Sequence, residues 1–372
     1  MTSILRYRIR VFLACIFLVP SMVCANDWTI THVADFSNRG KSVAQPLSEG
    51  AKACIAAHNS VAPAGKRARL VTLDDGFQAA QSREHAEAAV RSGTVAFIAS
   101  LGTGPTLAIA DVAHQGAVPV VGAIAGATSV RAQQHPSLFF LRASLAHEGA
   151  FAVRHLSAMG IRQIGVLHTA DAFGDDGLAA VRAAAKGLGL PEPLHSSYQP
   201  AKDQDSGTAV QVLDKAQAVV MFGSSRVLYD FVRRMREQSP AVVLIAASAA
   251  NMAELVEVVG ESRARGVGYL RSLPSPVPRT PLGREFLQIW DKHGAGGKVG
   301  PFHLEGCLAV QVVLRAALQA GQGVTPSVLS RQLKTMPAQQ FGGFNVDFRV
   351  PGNEGSGWVS IAVVDGQGKL VD

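Results

Sequence analysis

Short apolar runs alternate with longer amphipathic stretches along almost the whole chain. The runs at 28–34, 68–74, 95–99, 117–122, 163–169, 217–222, 241–246 and 265–270 are rich in Val, Ile, Leu and Ala. Most lack the period-two alternation of a half-buried strand, which predicts strands covered on both faces. Between them, 42–59, 77–92, 146–159 and 174–188 carry apolar residues at helical spacing. In the first, Leu47, Gly50, Ala51, Cys54, Ile55 and His58 form a single stripe. Strand and helix repeated in this order predict an α/β fold of parallel sheets flanked by helices.

Two sheets fit this pattern better than one. Four strand–helix units precede Arg142, and a second series starts near Gln163. A chain of 372 residues is also more than one core usually supports. The segment 139–144 lacks Gly and Pro and reads as a crossover between lobes. The segment 271–281 carries four prolines and reads as a further crossing or a surface loop. Helices follow at 282–293 and 303–320, then a β-rich tail at 358–365.

The first 25 residues read as an export signal. Arg6, Arg8 and Arg10 precede an apolar stretch at 11–23, and Val23-Cys24-Ala25 predicts cleavage before Asn26. The stretch is short for a membrane span, which needs about 20 apolar residues. Met22 and Val23 do not suit a lipid-modified Cys24. Without this segment the chain carries a net charge of only +4, which argues against a nucleic-acid partner. Hydrophobic residues make up 48% of the chain and charged ones 17%, ample material for buried cores. Only Cys54 and Cys307 then remain. Each lies in a helical stretch with apolar neighbours, so both are expected as buried, unbridged thiols.

Catalytic signatures are near misses. Residues 35–42 end like a phosphate loop, but Asp35 replaces the first glycine and its carboxylate would repel phosphate. Gly102-Thr103-Gly104 opens a helix after a strand, yet Leu107 stands where a dinucleotide loop has its third glycine. What survives is a helix N-terminus suited to an acceptor atom. His147 and Glu148 lack the second histidine of a zinc-protease helix. No Gly-x-Ser-x-Gly elbow presents a serine nucleophile. Asp74-Asp75-Gly76 reads as a capped turn. The residues specify no enzyme, cofactor or metal site.

Several segments, taken in order and spacing, carry a resemblance. They are Leu73 to Gly76, Gly102 to Thr106, Val118 to Gly122, Gly126 to Arg131, and Ala170 to Gly177 with its Phe173-Gly174-x-x-Gly177 turn. Leu304-Glu305-Gly306, Phe341 to Phe344 and Gly355 to Trp358 follow. Through nearly the whole mature chain the sequence resembles the solute-binding proteins of ABC importers, in the branched-chain amino-acid-binding class.

The resemblance implies two Rossmann-like lobes joined by three crossovers, with ligand in the interlobe cleft. It divides the chain into a signal at 1–25, a first lobe at 26–142 and 273–350, and a second lobe at 143–272 and 351–372. The implied ligand contacts are Phe36 and Ser37, Gly102 and Thr103, Ala123 and Ala125, Phe173, Ser224 and Ser225, and Ser248. Implied partners are a small-molecule solute and ABC permease subunits at the inner membrane, and the implied compartment is the periplasm. A ligand sensor reporting to a signalling partner is the alternative.

Amino-acid-binding members place an acid near Ala247-Ser248 to receive the ligand's ammonium. This chain has none there in sequence, and Glu305 is the first acid to check. The expected pocket is therefore apolar and weakly charged. Its expected solute is a neutral, aromatic, short-acid or lipid-like molecule rather than a free α-amino acid.

Overall fold

The computed structural model describes residues 27–371 except 39, 125–129, 132–134, 200–204, 224–225 and 322. The predicted signal segment therefore lies outside the described residues. The chain opens with β1 (Trp28–Ala34), α1 (Lys41–Asn59), β2 (Ala68–Asp74), α2 (Ala79–Arg91), β3 (Ala96–Ile98), α3 (Thr103–Gln115), β4 (Val120–Val121) and β5 (Leu138–Phe139). These strands form one parallel sheet in the order β2-β1-β3-β4-β5. Next come α4 (Leu145–Ala158), β6 (Ile164–Thr169), α5 (Ala172–Gly187), β7 (Leu194–Tyr198), α6 (Gly207–Leu213), β8 (Ala218–Phe222), α7 (Arg226–Gln238), β9 (Val243–Ala246), α8 (Met252–Val259), α9 (Glu261–Ala264) and β10 (Gly268–Arg271).

The chain then returns with α10 (Pro281–His293), α11 (Pro301–Ala320), α12 (Pro326–Thr335) and the hairpin β11 (Gln339–Phe341) and β12 (Phe344–Val346). It ends in β13 (Ser360–Val364) and β14 (Leu370–Val371), which complete a second sheet ordered β14-β13-β10-β9-β8-β6-β7. The chain thus crosses between lobes three times, after β5, β10 and β12.

Each sheet is covered on both faces. In the first, Ile30 and Ala34 point into a core with Leu282, Phe286, Leu308 and Leu329, while Val33 points into another with Phe97 and Ile109. In the second, Leu167 joins Phe231 and Leu255, and Val166 joins Val153 and Val181. The near-continuous apolar runs have this physical origin. Strand β2 departs from it: it lies at the sheet edge, and most of its residues are partly or fully exposed.

The cysteine expectation is corrected. Cys54 and Cys307 form a disulfide, with Cα atoms 5.3 Å apart. Helices α1 and α11 cross with their backbones in contact. A Cβ at Gly50 would overlap the His303 carbonyl, and one at Gly306 would overlap that of Leu47. That approach brings the Cys54 stripe of α1 onto Cys307 although 253 residues separate them. The signal was present in the sequence as Gly50 in the stripe and Gly306 beside the cysteine.

The first and third crossovers run side by side. The Phe140 N–H donates to the Asn353 carbonyl (3.0 Å), and the Gly355 N–H donates to the Phe140 carbonyl (2.8 Å). Arg131 clamps both. Its guanidinium donates to the Arg142 carbonyl (3.0 Å), pairs with Glu354 (3.2 Å) and lies 4.1 Å from the Phe140 ring centroid.

Candidate functional site

Topology locates the site before any side chain does. In the first sheet, β1 lies between β2 and β3, so successive connections leave in opposite directions there. In the second, β6 lies between β7 and β8 in the same way. Open α/β sheets bind ligands beyond the carboxyl ends of the strands at such reversals. The exit loops of β1 and β3 in one lobe, and of β6 and β8 in the other, therefore define the candidate cleft.

The β1 exit is tied by Asp35. Its buried carboxylate accepts the N–H groups of Ser37 (3.2 Å), Asn38 (2.8 Å) and Gly40 (2.8 Å). Those N–H groups are the ones a phosphate would need, which is why the loop is a near miss for nucleotide. Phe36 is half-buried, edge-on to His32 at 5.2 Å, and Ser37 is exposed. At the β3 exit Gly102 has φ 87°, and a Cβ there would run into the Phe77 ring. Phe77 thus joins Phe36 as a half-buried aromatic on this lip, a residue sequence reasoning did not single out. Thr103 is half-buried in the first turn of α3.

Asp74 and Asp75 cap the β2 exit. Asp74 accepts the Phe36 and Gly76 N–H groups, and Asp75 accepts the Phe77 N–H and the Ser82 hydroxyl. Ala123 is buried among Phe97, Ile109 and Val130. Ala125, Ser224 and Ser225 lie outside the described residues.

In the second lobe Asp171 caps α5, accepting the Gly174 N–H (3.0 Å) and the Thr169 hydroxyl (2.8 Å). The Phe173-Gly174-x-x-Gly177 turn has a steric cause. A Cβ at Gly174 would overlap the Thr169 backbone, and one at Gly177 would enter the Phe222 ring. The turn seats α5 against β6 and β8. Phe173 remains half-buried on the lobe's core.

Ser248, after β9, sits at the centre of a buried polar network. Its N–H and hydroxyl donate to the two Glu148 oxygens (2.9 and 2.5 Å). Its carbonyl accepts from Arg142 Nη1 (3.1 Å) and from the Tyr269 hydroxyl (2.9 Å), and its hydroxyl oxygen accepts from Arg142 Nη1 (3.0 Å). Arg142 also reaches Glu305 with two bonds, Nε to Oε1 at 2.5 Å and Nη2 to Oε2 at 2.6 Å. One side chain on the first crossover therefore holds α11 of one lobe and the β9 exit of the other.

The electrostatics follow from burial and pairing. Burial pushes the Glu148 carboxyl above the ordinary carboxylate range, against its bonds from Ser248 and the nearby Arg142 and Arg131. Burial works to lower Arg142, but its pairing with Glu305 outweighs this and keeps the guanidinium charged. Burial raises the Tyr269 hydroxyl. The expectation that no carboxylate reaches Ala247-Ser248 is corrected: Glu148 arrives there from α4, 100 positions earlier in sequence. Its place in the first turn of α4, behind the Ser144 cap, gave no sign of that partner in the sequence. Glu305, the first acid to check, is taken by Arg142.

The geometry is that of a two-lobed α/β binding protein with a polar hinge and aromatic lips. The chain belongs to the periplasmic binding protein family, whose model matches residues 27–369. It is similar to a substrate-binding periplasmic protein from Ralstonia solanacearum, with 25% identity and TM-score 0.85, covering 93% of this chain and 99% of that one. It is equally similar to an extracellular ligand-binding receptor from Verminephrobacter eiseniae, with 26% identity and TM-score 0.85, covering 93% and 100%. A branched-chain amino acid ABC transporter protein from Thermus thermophilus, solved with bound valine, shares the fold at 15% identity and TM-score 0.80, covering 93% and 95%. No curated protein matches the sequence. The family and these neighbours are solute-binding proteins rather than enzymes.

Proposed function

We infer that this protein is a periplasmic receptor of an ABC import system, which captures a small solute by lobe closure and delivers it to permease subunits at the inner membrane. The observation that carries the reading is the pair of switch points, one per lobe, with the Arg142 crossover joined to both lobes between them. Closure is a population shift, driven by solute contacts with both lobes and absorbed at the crossovers. Phe36, Ser37, Gly102, Thr103, Ala125, Phe173, Ser224 and Ser225 contact the solute, with Ala123 and Ser248 behind them. The lobes comprise 26–142 with 273–350, and 143–272 with 351–372. Removal of residues 1–25 releases the mature chain into the periplasm.

Native mass spectrometry of protein released from the periplasm identifies the solute. Small-angle scattering then shows a smaller radius of gyration with that solute than without it, and the reconstituted permease raises its ATPase rate only with the loaded receptor. A bound solute that leaves both quantities unchanged counts against transport.

A further inference from the structure

On the hinge floor and at the exits of β1, β2 and β6, the chain itself engages acidic side chains. Asp35, Asp74, Asp75 and Asp171 are held by loop N–H groups and hydroxyls. Glu305 takes two bonds from Arg142, and Glu148 takes the hydroxyl and N–H of Ser248. The exits of β4 and β8 continue into residues 125–129 and 224–225, which are Ala, Gly, Thr and Ser by sequence. For either carboxylate of the hinge floor to receive a solute's ammonium, Glu305 would have to release Arg142 or Glu148 would have to release Ser248. Either exchange leaves a buried charged or polar group without its partner. Arg142 is itself fully committed, with Nη1 on Ser248 and Nε and Nη2 on Glu305.

We propose that Arg142 is a specificity-determining residue: it fills from within the chain the place of a solute's cation, so the cleft takes a small organic solute that bears no ammonium group. The inference rests on the receptor reading above and names its solute class. Phe36, Phe77 and Phe173 supply the apolar surface that such a solute buries.

The test uses the full mature chain and probes that share one branched apolar tail: 4-methylpentanamide, 4-methylpentanoate, leucine and 3-methylbutylamine. Calorimetry measures each, and native mass spectrometry reads the solute that co-purifies from the periplasm. The expected result is binding of the amide or the carboxylate at least tenfold tighter than leucine or the amine, or a co-purified solute without an ammonium group. Arg142→Met frees Glu305 and shifts the preference toward the amine by at least tenfold. Arg142→Met/Glu305→Gln removes that gain, which a merely structural role for Arg142 would not predict.

Leucine or the amine binding as tightly as the amide and carboxylate, a co-purified amine, or an unchanged preference in Arg142→Met overturns the inference. Should Arg142→Met fail to fold, the wild-type probe series and the mass spectrum decide. Binding confined to amines overturns the solute class and leaves the receptor reading standing. A wild-type chain that binds no probe and carries no solute overturns both.

Discussion

Arg142 and Glu305 stand 163 residues apart in sequence and meet in a two-pronged ion pair of 2.5 and 2.6 Å. Arg142 lies on the first crossover and Glu305 on α11 of the first lobe, while Ser248 of the second lobe accepts from the same guanidinium. The pair thus belongs to the hinge as much as to the cleft floor. Breaking it leaves a buried charge, and the cost of that exceeds what the pair contributes over an apolar replacement.

Arg142→Met therefore lowers stability by about 3–5 kcal/mol, the usual effect of removing one partner from a buried pair. Arg142→Met/Glu305→Gln loses less than the sum of the two single changes. Urea unfolding of the four proteins gives the coupling; additivity within about 0.5 kcal/mol would show that the pair is not coupled.

The disulfide closes a loop across 253 positions, from α1 to α11. Replacing Cys54 and Cys307 by Ser costs about 2–5 kcal/mol. Peptide mapping without reductant should yield a linked Cys54–Cys307 peptide, and reduction should lower the melting temperature. Free thiols on both residues would contradict the bridge.

How much was legible in the sequence depended on the range of the interaction. Strands β1 and β2 match their predicted spans because short runs rich in apolar and β-branched residues end at Asp35 and at Asp74-Asp75-Gly76, signals local to a few residues. Strand β7 and the hairpin β11–β12 escaped, since Leu194 to Tyr198 and Gln339 to Val346 are short and half-polar and are defined by their neighbours. The strand exits were readable from order alone, and so was Phe173 with its two glycines. The partnership of Glu148 with Ser248 was not, because nothing within either helical or strand period links positions 100 apart. The same holds for the bridge: each cysteine read correctly as buried, and only the crossing of two glycine-bearing helices made them neighbours.

His32 titrates against the fold. It is buried beneath the β1 exit, with Nε2 bonded to the Ala99 carbonyl (3.1 Å) and Nδ1 without a partner among the described residues. Burial lowers its pKa from 6.5 to about 4, with Lys52 adding to the effect. The unfolded chain then binds more protons than the folded one between those values, so stability falls as pH drops from about 6.5 toward 4. The loss attributable to this residue approaches 3 kcal/mol, on the order of 1.4 kcal/mol per pKa unit. Urea midpoints of His32→Gln across that window should be flatter than those of the wild type. Parallel curves would show that another group carries the acid sensitivity.

Glu148 works in the opposite direction. Burial raises its pKa, so the folded chain holds the proton to higher pH than the unfolded chain does. Its contribution is fully present below the ordinary carboxylate pKa and is lost as pH rises through the folded value. The groups facing it are Ser248, which donates twice, and the Arg142 and Arg131 guanidiniums, which oppose the shift. Glu148→Gln keeps an acceptor and a donor for Ser248 and removes the titration. The melting temperature of Glu148→Gln should therefore gain on the wild type as pH rises from about 4 toward 8. A difference that stays constant with pH would mean that Glu148 titrates alike in both states, with the two arginines fully offsetting its burial.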